Sequence, residues 1–187
     1  MKLLIAIPAY NEATRVGDVV RRCRAVSPHV VVIDDGSTDS TGQYAAQAGA
    51  TVLRHVVNRG LGGAIQTACA YAREQHADAL VTIDGDGSFL PEEIPALIRP
   101  IEEGNAQAVF GSRFLDRNAI PLKRRLGNRV AQLVTGALFG VWKFDSQSGF
   151  RAFHRDVFSA IELRSNRMEI STEIVAEVHR HGFRVCE

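Results

Sequence analysis

Asp84 and Asp86 stand two residues apart in LVTIDGDGSF, residues 80–89, with Gly85 between them and Gly87 and Ser88 following. Carboxylates at that spacing are hard oxygen ligands suited to Mg²⁺ or Mn²⁺. The glycines remove Cβ bulk and let the backbone bend close to a ligand. The same string also serves as a polar turn after a strand. Other chemically capable groups stand at similar places: Tyr10 and Glu12 after Leu3–Ile7, Asp34 and Asp35 after Val30–Ile33, and Ser112 and Arg113 after Ala106–Phe110.

Hydrophobic spacing identifies the elements that must hold these groups. Leu3–Ile7, Val30–Ile33 and Ala79–Ile83 are continuous apolar-leaning runs, the pattern of strands buried on both faces. Val16, Val19, Val20, Cys23 and Val26 recur at a helical period within a helix expected over Glu12–Val26. Thr38, Asp39 and Ser40 supply candidate N-caps for a second helix running through Ala48. Ala50–His55 is expected as a third strand, and Ala64–Glu74 as an alanine-rich helix. Pro91-Glu92-Glu93 opens another helix, with proline in its favoured first turn and acids at the positive end of the dipole. Ala106–Phe110 is expected as the fifth strand. Short strands over Phe150–Phe153 and Phe183–Cys186 flank a helix over Ser171–His181.

Strand and helix alternating at this spacing predict a three-layer α/β sandwich around a mostly parallel sheet. Right-handed crossovers place the carboxyl ends of parallel strands on one edge, where open α/β sheets bind ligands. The polar groups therefore converge on one crevice. Asp34, Asp35, Asp84 and Asp86 would repel one another there, and a divalent cation relieves that repulsion while attracting a diphosphate. Asp35 is placed to accept from a base or ribose, and Asp86 to hold the metal that bridges the phosphates. No GxGxxG follows the first strand. Gly60-Leu61-Gly62-Gly63 comes after the third and serves equally well as a simple helix start.

The 187 residues suit one domain with a substantial core, and 45% hydrophobic with 23% charged residues is the composition of a globular protein. A net charge of +1 provides no global field toward nucleic acid or membrane, so any such attraction must be local. Lys123, Arg124, Arg125 and Arg129 form one local basic cluster, followed by the apolar-leaning stretch Val130–Trp142. That stretch is shorter than the roughly 18–20 residues of a membrane span. Cys23, Cys69 and Cys186 lack metal-type spacing and are odd in number, and Cys23 and Cys69 lie in expected helices, which suits buried thiols in a reducing compartment. The N-terminal MKLLIAIPAYNE breaks at Pro8 without a signal-peptide cleavage pattern and reads as the first strand.

IPAYNE, VVVIDDGSTDST, NRGLGGAIQTA, TIDGDGSFLPEEI, GSRF, RRLGNR and DSQSGFRAF occur here in the order found in family-two glycosyltransferases of the GT-A, nucleotide-diphospho-sugar transferase fold. Across essentially the whole chain the sequence resembles the dolichol-phosphate mannosyltransferase-like branch, which loads a sugar onto a polyprenyl phosphate. The resemblance implies a metal-dependent, inverting transfer of a hexose from a donor of GDP-mannose or UDP-glucose type. It implies that Pro8, Tyr10, Glu12, Ile33, Asp35, Asp84, Gly85 and Asp86 hold the nucleotide-sugar, with Asp84, Asp86 and Ser88 at the metal. It also implies that Arg113 contacts phosphate near the reaction centre. Arg124 and Asn128, one helical turn apart, are placed to hold the acceptor phosphate, and Asp145 to orient the acceptor or a sugar hydroxyl. Asp86, Arg113 and Asp145 are the candidate catalytic residues. The basic cluster beside an apolar stretch suggests peripheral contact with anionic headgroups on the cytoplasmic membrane face. No nucleic-acid partner is expected.

Two departures stand out. Ser88 replaces the family's common metal-ligating Gln, with a shorter reach that a water would have to bridge. The resemblance also implies one domain over residues 1–187 that stops short of the family's Val-Pro-Ile type segment and mobile basic loop. Both departures favour an alternative, a member that binds nucleotide-sugar without turnover or only with a partner. A remoter alternative is a haloacid-dehalogenase-type phosphatase, whose DxDx[TS] loop DGDGS resembles. That loop normally follows the first strand of its fold, and here it follows the fourth.

Overall fold

Strand β1 (Leu3–Ala9) is apolar along its length because helices cover both of its faces. In a computed structural model, which describes residues 1–111 and 148–187, it pairs in parallel with β2 (Val30–Asp34) on one side and β4 (Ala79–Thr82) on the other. β2 in turn carries β3 (Thr51–Arg54) at the sheet edge. Beyond β4 come β6 (Arg151–His154), β5 (Ala108–Phe110) and β7 (Val185–Cys186), giving the order β3-β2-β1-β4-β6-β5-β7. Among the described strands β6 alone runs against the rest.

The chain winds outward from β1 to β3, then crosses back to lay β4 on the far side of β1. That reversal makes β1/β4 a topological switch point, where successive loops splay apart and leave a crevice. Helices α1 (Val16–Val26), α2 (Thr41–Gln47) and α4 (Ile94–Glu102) pack on one face, contributing Val19, Cys23, Ala45, Leu97 and Ile101 to a core with Ile5, Val32 and Val81. Helices α3 (Gly60–Glu74), α5 (Arg155–Ala160) and α6 (Ile170–Arg180) cover the other, burying Ile65, Phe158 and Ile174 against Ala6, Ile33 and Phe153. The expected three-layer sandwich is the observed one.

Local differences have local causes. α3 begins at Gly60, four residues before Ala64, so the glycines form its first turn. Asp39 anchors the start of α2, accepting from the Thr41 amide at 2.9 Å, whereas Ser40 at the N-cap makes no capping bond through its side chain. α5 is too short to show a period in sequence; the His154 ring marks its start, accepting from the Asp156 amide at 3.4 Å. Pro91–Glu93 forms a 3₁₀ turn ahead of α4.

Candidate functional site

The loops after β1 and β2 are laced together by side-chain-to-backbone bonds. Asn11 N–H donates to Ser37 Oγ at 3.0 Å, and Thr38 N–H returns a bond to Asn11 Oδ1 at 2.9 Å. Glu12 N–H donates to Thr41 Oγ1 at 2.8 Å, and Ala13 N–H to Asp39 Oδ2 at 3.1 Å. Asn11 adopts a left-handed backbone, φ 56°, a conformation Asn tolerates better than most residues. Asp39 is held below the ordinary carboxylate range, first by the Thr41 hydroxyl and then by backbone amides. The result is a rigid rim presenting Tyr10 to solvent and Glu12 half-buried.

Asp34 and Asp35 turn inward. Asp34 is fully buried; its Oδ1 accepts from Ser37 N–H at 2.9 Å, and Arg54 Nε lies 3.6 Å from Oδ2. Asp35 accepts from the Arg59 amide at 2.9 Å and the Gly60 amide at 2.7 Å, the first donors of α3, and meets His55 Nδ1 at 2.6 Å. His55 Nε2 continues to Thr67 Oγ1 at 2.9 Å. The positive end of α3 is thus occupied by a carboxylate of the chain itself. Gly60 and Gly62 instead admit the 165–167 segment, while a Cβ on Gly63 would meet the Arg59 side chain. A Cβ on Gly62 would lie 2.7 Å from Asn166 C, and Gly63 N–H donates to Asn166 O at 3.2 Å. The string stands at the start of α3, and its first two glycines also make room for that segment.

Asp84 and Asp86 leave the end of β4 half-buried, across the switch point from Glu12. Gly87 has φ +76°, a backbone that lets the loop double back so that Ser88 N–H donates to Asp86 Oδ1 at 2.9 Å. Burial, and after it the negative charge of Asp86, pushes the Glu12 carboxyl above its ordinary value, with Arg15 opposing. The crevice therefore carries negative charge that a cation would relieve. Among the described residues no three His, Cys, Asp or Glu side chains converge on one metal position. A fitting ion would take one or two carboxylates and complete its shell with phosphate oxygens and water, as Mg²⁺ ordinarily does.

Of the residues singled out in the sequence, Pro8, Tyr10, Glu12, Asp84, Gly85 and Asp86 flank the switch point, and Ser88 is exposed beside them. Ile33 is fully buried in the core facing α3. Asp35 lies at the same sheet edge, with three of its four acceptor positions filled from within the chain. Arg113, Arg124, Asn128 and Asp145 lie outside the described residues. Asn11, His55 and Thr67 were not anticipated. Asn11 follows a strand directly and is of a type that favours left-handed turns, which is a usable signal. His55 and Thr67 are twelve residues apart and meet only through the β3–α3 connection.

The chain matches the family described as Glycosyl transferase family 2 over residues 4–162. It is 29% identical over 208 residues to the UDP-N-acetylglucosamine–dolichyl-phosphate N-acetylglucosaminyltransferase of Methanococcus voltae, covering 99% of this chain and 83% of that one. It is 30% identical over 200 residues to the undecaprenyl-phosphate mannosyltransferase of Micrococcus luteus, covering 100% and 82%. In structure it resembles the glucosyl-3-phosphoglycerate synthase of Mycobacterium tuberculosis in complex with Mn²⁺, UDP-glucose and phosphoglyceric acid, with a TM-score of 0.80. That likeness is at 21% identity and covers 96% of this chain and 65% of the other. The chain belongs to glycosyl transferase family 2 and has the GT-A fold.

Proposed function

We propose that this glycosyltransferase moves a hexose from a nucleotide-diphosphate sugar to a polyprenyl phosphate, inverting the anomeric carbon. The observation that carries the proposal is the pair of acidic loops, Glu12 and Asp84–Asp86, facing one another at the switch point of the sheet. Support for the acceptor comes from the relatives named for dolichyl and undecaprenyl phosphate. The donor is of GDP-mannose or UDP-glucose type. Bound Mg²⁺ or Mn²⁺ would supply charge neutralisation to the leaving diphosphate. Asp86 would hold the ion, with Asp84 and Ser88 beside it. Pro8, Tyr10 and Glu12 line the donor side. Asp35 would accept from base or ribose in this reading.

A polyprenyl phosphate is already anionic at neutral pH, so it needs positioning more than deprotonation. Its oxygen attacks the anomeric carbon, the bond to the diphosphate oxygen breaks, and the nucleoside diphosphate leaves with the electron pair. In this reading Arg113 stabilises the departing phosphate, Arg124 and Asn128 hold the acceptor phosphate, and Asp145 orients the acceptor. Among the described residues no helix is long and apolar enough to cross a membrane. Peripheral contact at the cytoplasmic membrane face, through the Lys123–Arg129 cluster, fits a lipid acceptor. Residues 1–187 form a single catalytic domain in this reading.

A thermal-shift panel of nucleotide-sugars with Mg²⁺ or Mn²⁺ tests the proposal, because a ligand bound only by the native state raises apparent stability. One donor should stabilise the protein only when metal is present, and Asp86→Ala should lose both that shift and transfer while keeping the fold. Metal-independent stabilisation by every donor would sink the metal role. A second reading, nucleotide binding without turnover, is favoured by Ser88. Retained binding with no sugar transfer to any polyprenyl phosphate would decide for it.

A further inference from the structure

We propose that Gly149 is a positioning residue that seats the Asp84 carboxylate; this rests on the metal and donor reading of Asp84–Asp86. β4 and β6 are antiparallel with Thr82 opposite Arg151. Continuing that register by two residues sets Asp84 opposite Gly149, just past the last bridged pair. There the Asp84 side chain lies over the glycine Cα. A Cβ at 149 would stand 2.5 Å from Asp84 Cγ and closer still to both carboxylate oxygens. No real Cβ tolerates that approach, so any side chain at 149 must displace the carboxylate.

The segment carrying Gly149 is itself braced on several sides. Thr82 Oγ1 donates to the Gly149 carbonyl at 3.0 Å, from a threonine that is almost fully buried. Ser148 is buried, and its Oγ accepts from the Phe150 amide at 3.2 Å. Phe150 stacks on Phe89, at the far end of the Asp84–Ser88 loop, with ring centroids 5.3 Å apart. The Phe150 carbonyl accepts from the Gly111 amide at 2.8 Å. Residues 148–150 therefore form a backstop that touches the metal loop at both of its ends. Because the backstop is held from Thr82, Phe89 and Gly111, it cannot retreat when a methyl group is added. The carboxylate moves instead. Gly149 thus acts on the reaction through Asp84, much as an outer-shell partner orients a ligand, a role whose loss usually costs ten- to a hundredfold in metal affinity.

The test is Mn²⁺ titration followed by electron paramagnetic resonance, with UDP or GDP present, on wild type, Gly149→Ala, Asp86→Ala and Asp84→Ala, alongside thermal melts of the same set and of Gly149→Ala/Asp84→Ala. Gly149→Ala should weaken Mn²⁺ binding at least tenfold. It should also lower the melting temperature in the wild-type background but much less in the Asp84→Ala background, where the clash is absent. A structural role without coupling to Asp84 would lower both backgrounds equally, which would overturn the proposal. If Gly149→Ala does not fold, recovery of a cooperative melt in the double variant supports the seat, and failure to recover overturns it. Asp86→Ala losing Mn²⁺ while Gly149→Ala retains it would remove the positioning role and leave the metal reading intact. A wild type that binds no Mn²⁺ with either nucleotide would overturn the metal reading, and with it this one.

Discussion

Asp35 accepts from two backbone amides and meets a histidine ring, and those three bonds define its role at the residue scale. A carboxylate so nearly buried is tolerated because every contact is a donor. His55 is the least replaceable of them, since it also reaches Thr67 and so ties β3 to α3. His55→Ala should destabilise the protein by about 2 kcal/mol, the range for a hydrogen bond to a charged group. Urea denaturation measures this, and a loss below about 0.5 kcal/mol would show that the amides alone suffice. The aspartate pair was visible in the sequence as DDGS after an apolar run. That both turn inward, and what Asp35 turns toward, was not, because the partners of Asp35 lie some 20 to 25 positions away.

At the scale of elements, the first turn of α3 and the 162–168 segment are fitted backbone to backbone. Glu173 fixes that segment by accepting from the amides of Arg164 and Ser165, both at 2.8 Å, and Gln66 Nε2 donates to Ser165 O at 2.9 Å. Gly62→Ala forces a methyl group into the Ser165–Asn166 backbone. It should cost about 1–3 kcal/mol, the usual penalty of overpacking. Gly104→Ala is the control, because nothing lies within 4 Å of a Cβ there and only its φ of +70° is unfavourable. Chemical denaturation of both variants separates the two effects: Gly62 has no positive φ, so a loss there comes from the contact, and unchanged or raised stability would mean that contact with the segment is unimportant. The glycine string could be found by inspection. Its purpose depended on a segment a hundred residues downstream.

Across the whole molecule, the two faces of the sheet each bury one thiol. Burial pushes Cys23 up to about 12, with Arg22 opposing, and Cys69 likewise up to about 12, with Arg73 opposing. Both therefore stay neutral and unreactive at any pH the fold ordinarily meets, since the thiolate is the nucleophile. Cys186 in the terminal strand is only partly covered. An aromatic disulfide reagent at pH 8 should label one thiol quickly, and mass mapping should place it at Cys186. The other two should react only on addition of denaturant. Rapid labelling of Cys23 or Cys69 in the native state would contradict the packing of α1 or α3.

By itself the sequence determined the layered α/β architecture and the edge that gathers the polar loops of the candidate site. Continuous apolar runs specify strands covered on both faces, helical spacing specifies what covers them, and right-handed crossovers send the loops after parallel strands to one side. Those are local signals joined by one rule of chirality. Only the tertiary structure decided which polar atoms remain open to a ligand. It spends most of Asp35 on α3, fits Gly60 and Gly62 of that helix against the 165–167 segment, and turns β6 antiparallel so that Gly149 faces Asp84. Each depends on contacts between residues far apart in the chain, and no period or spacing along the sequence records which distant backbone will arrive beside a given side chain.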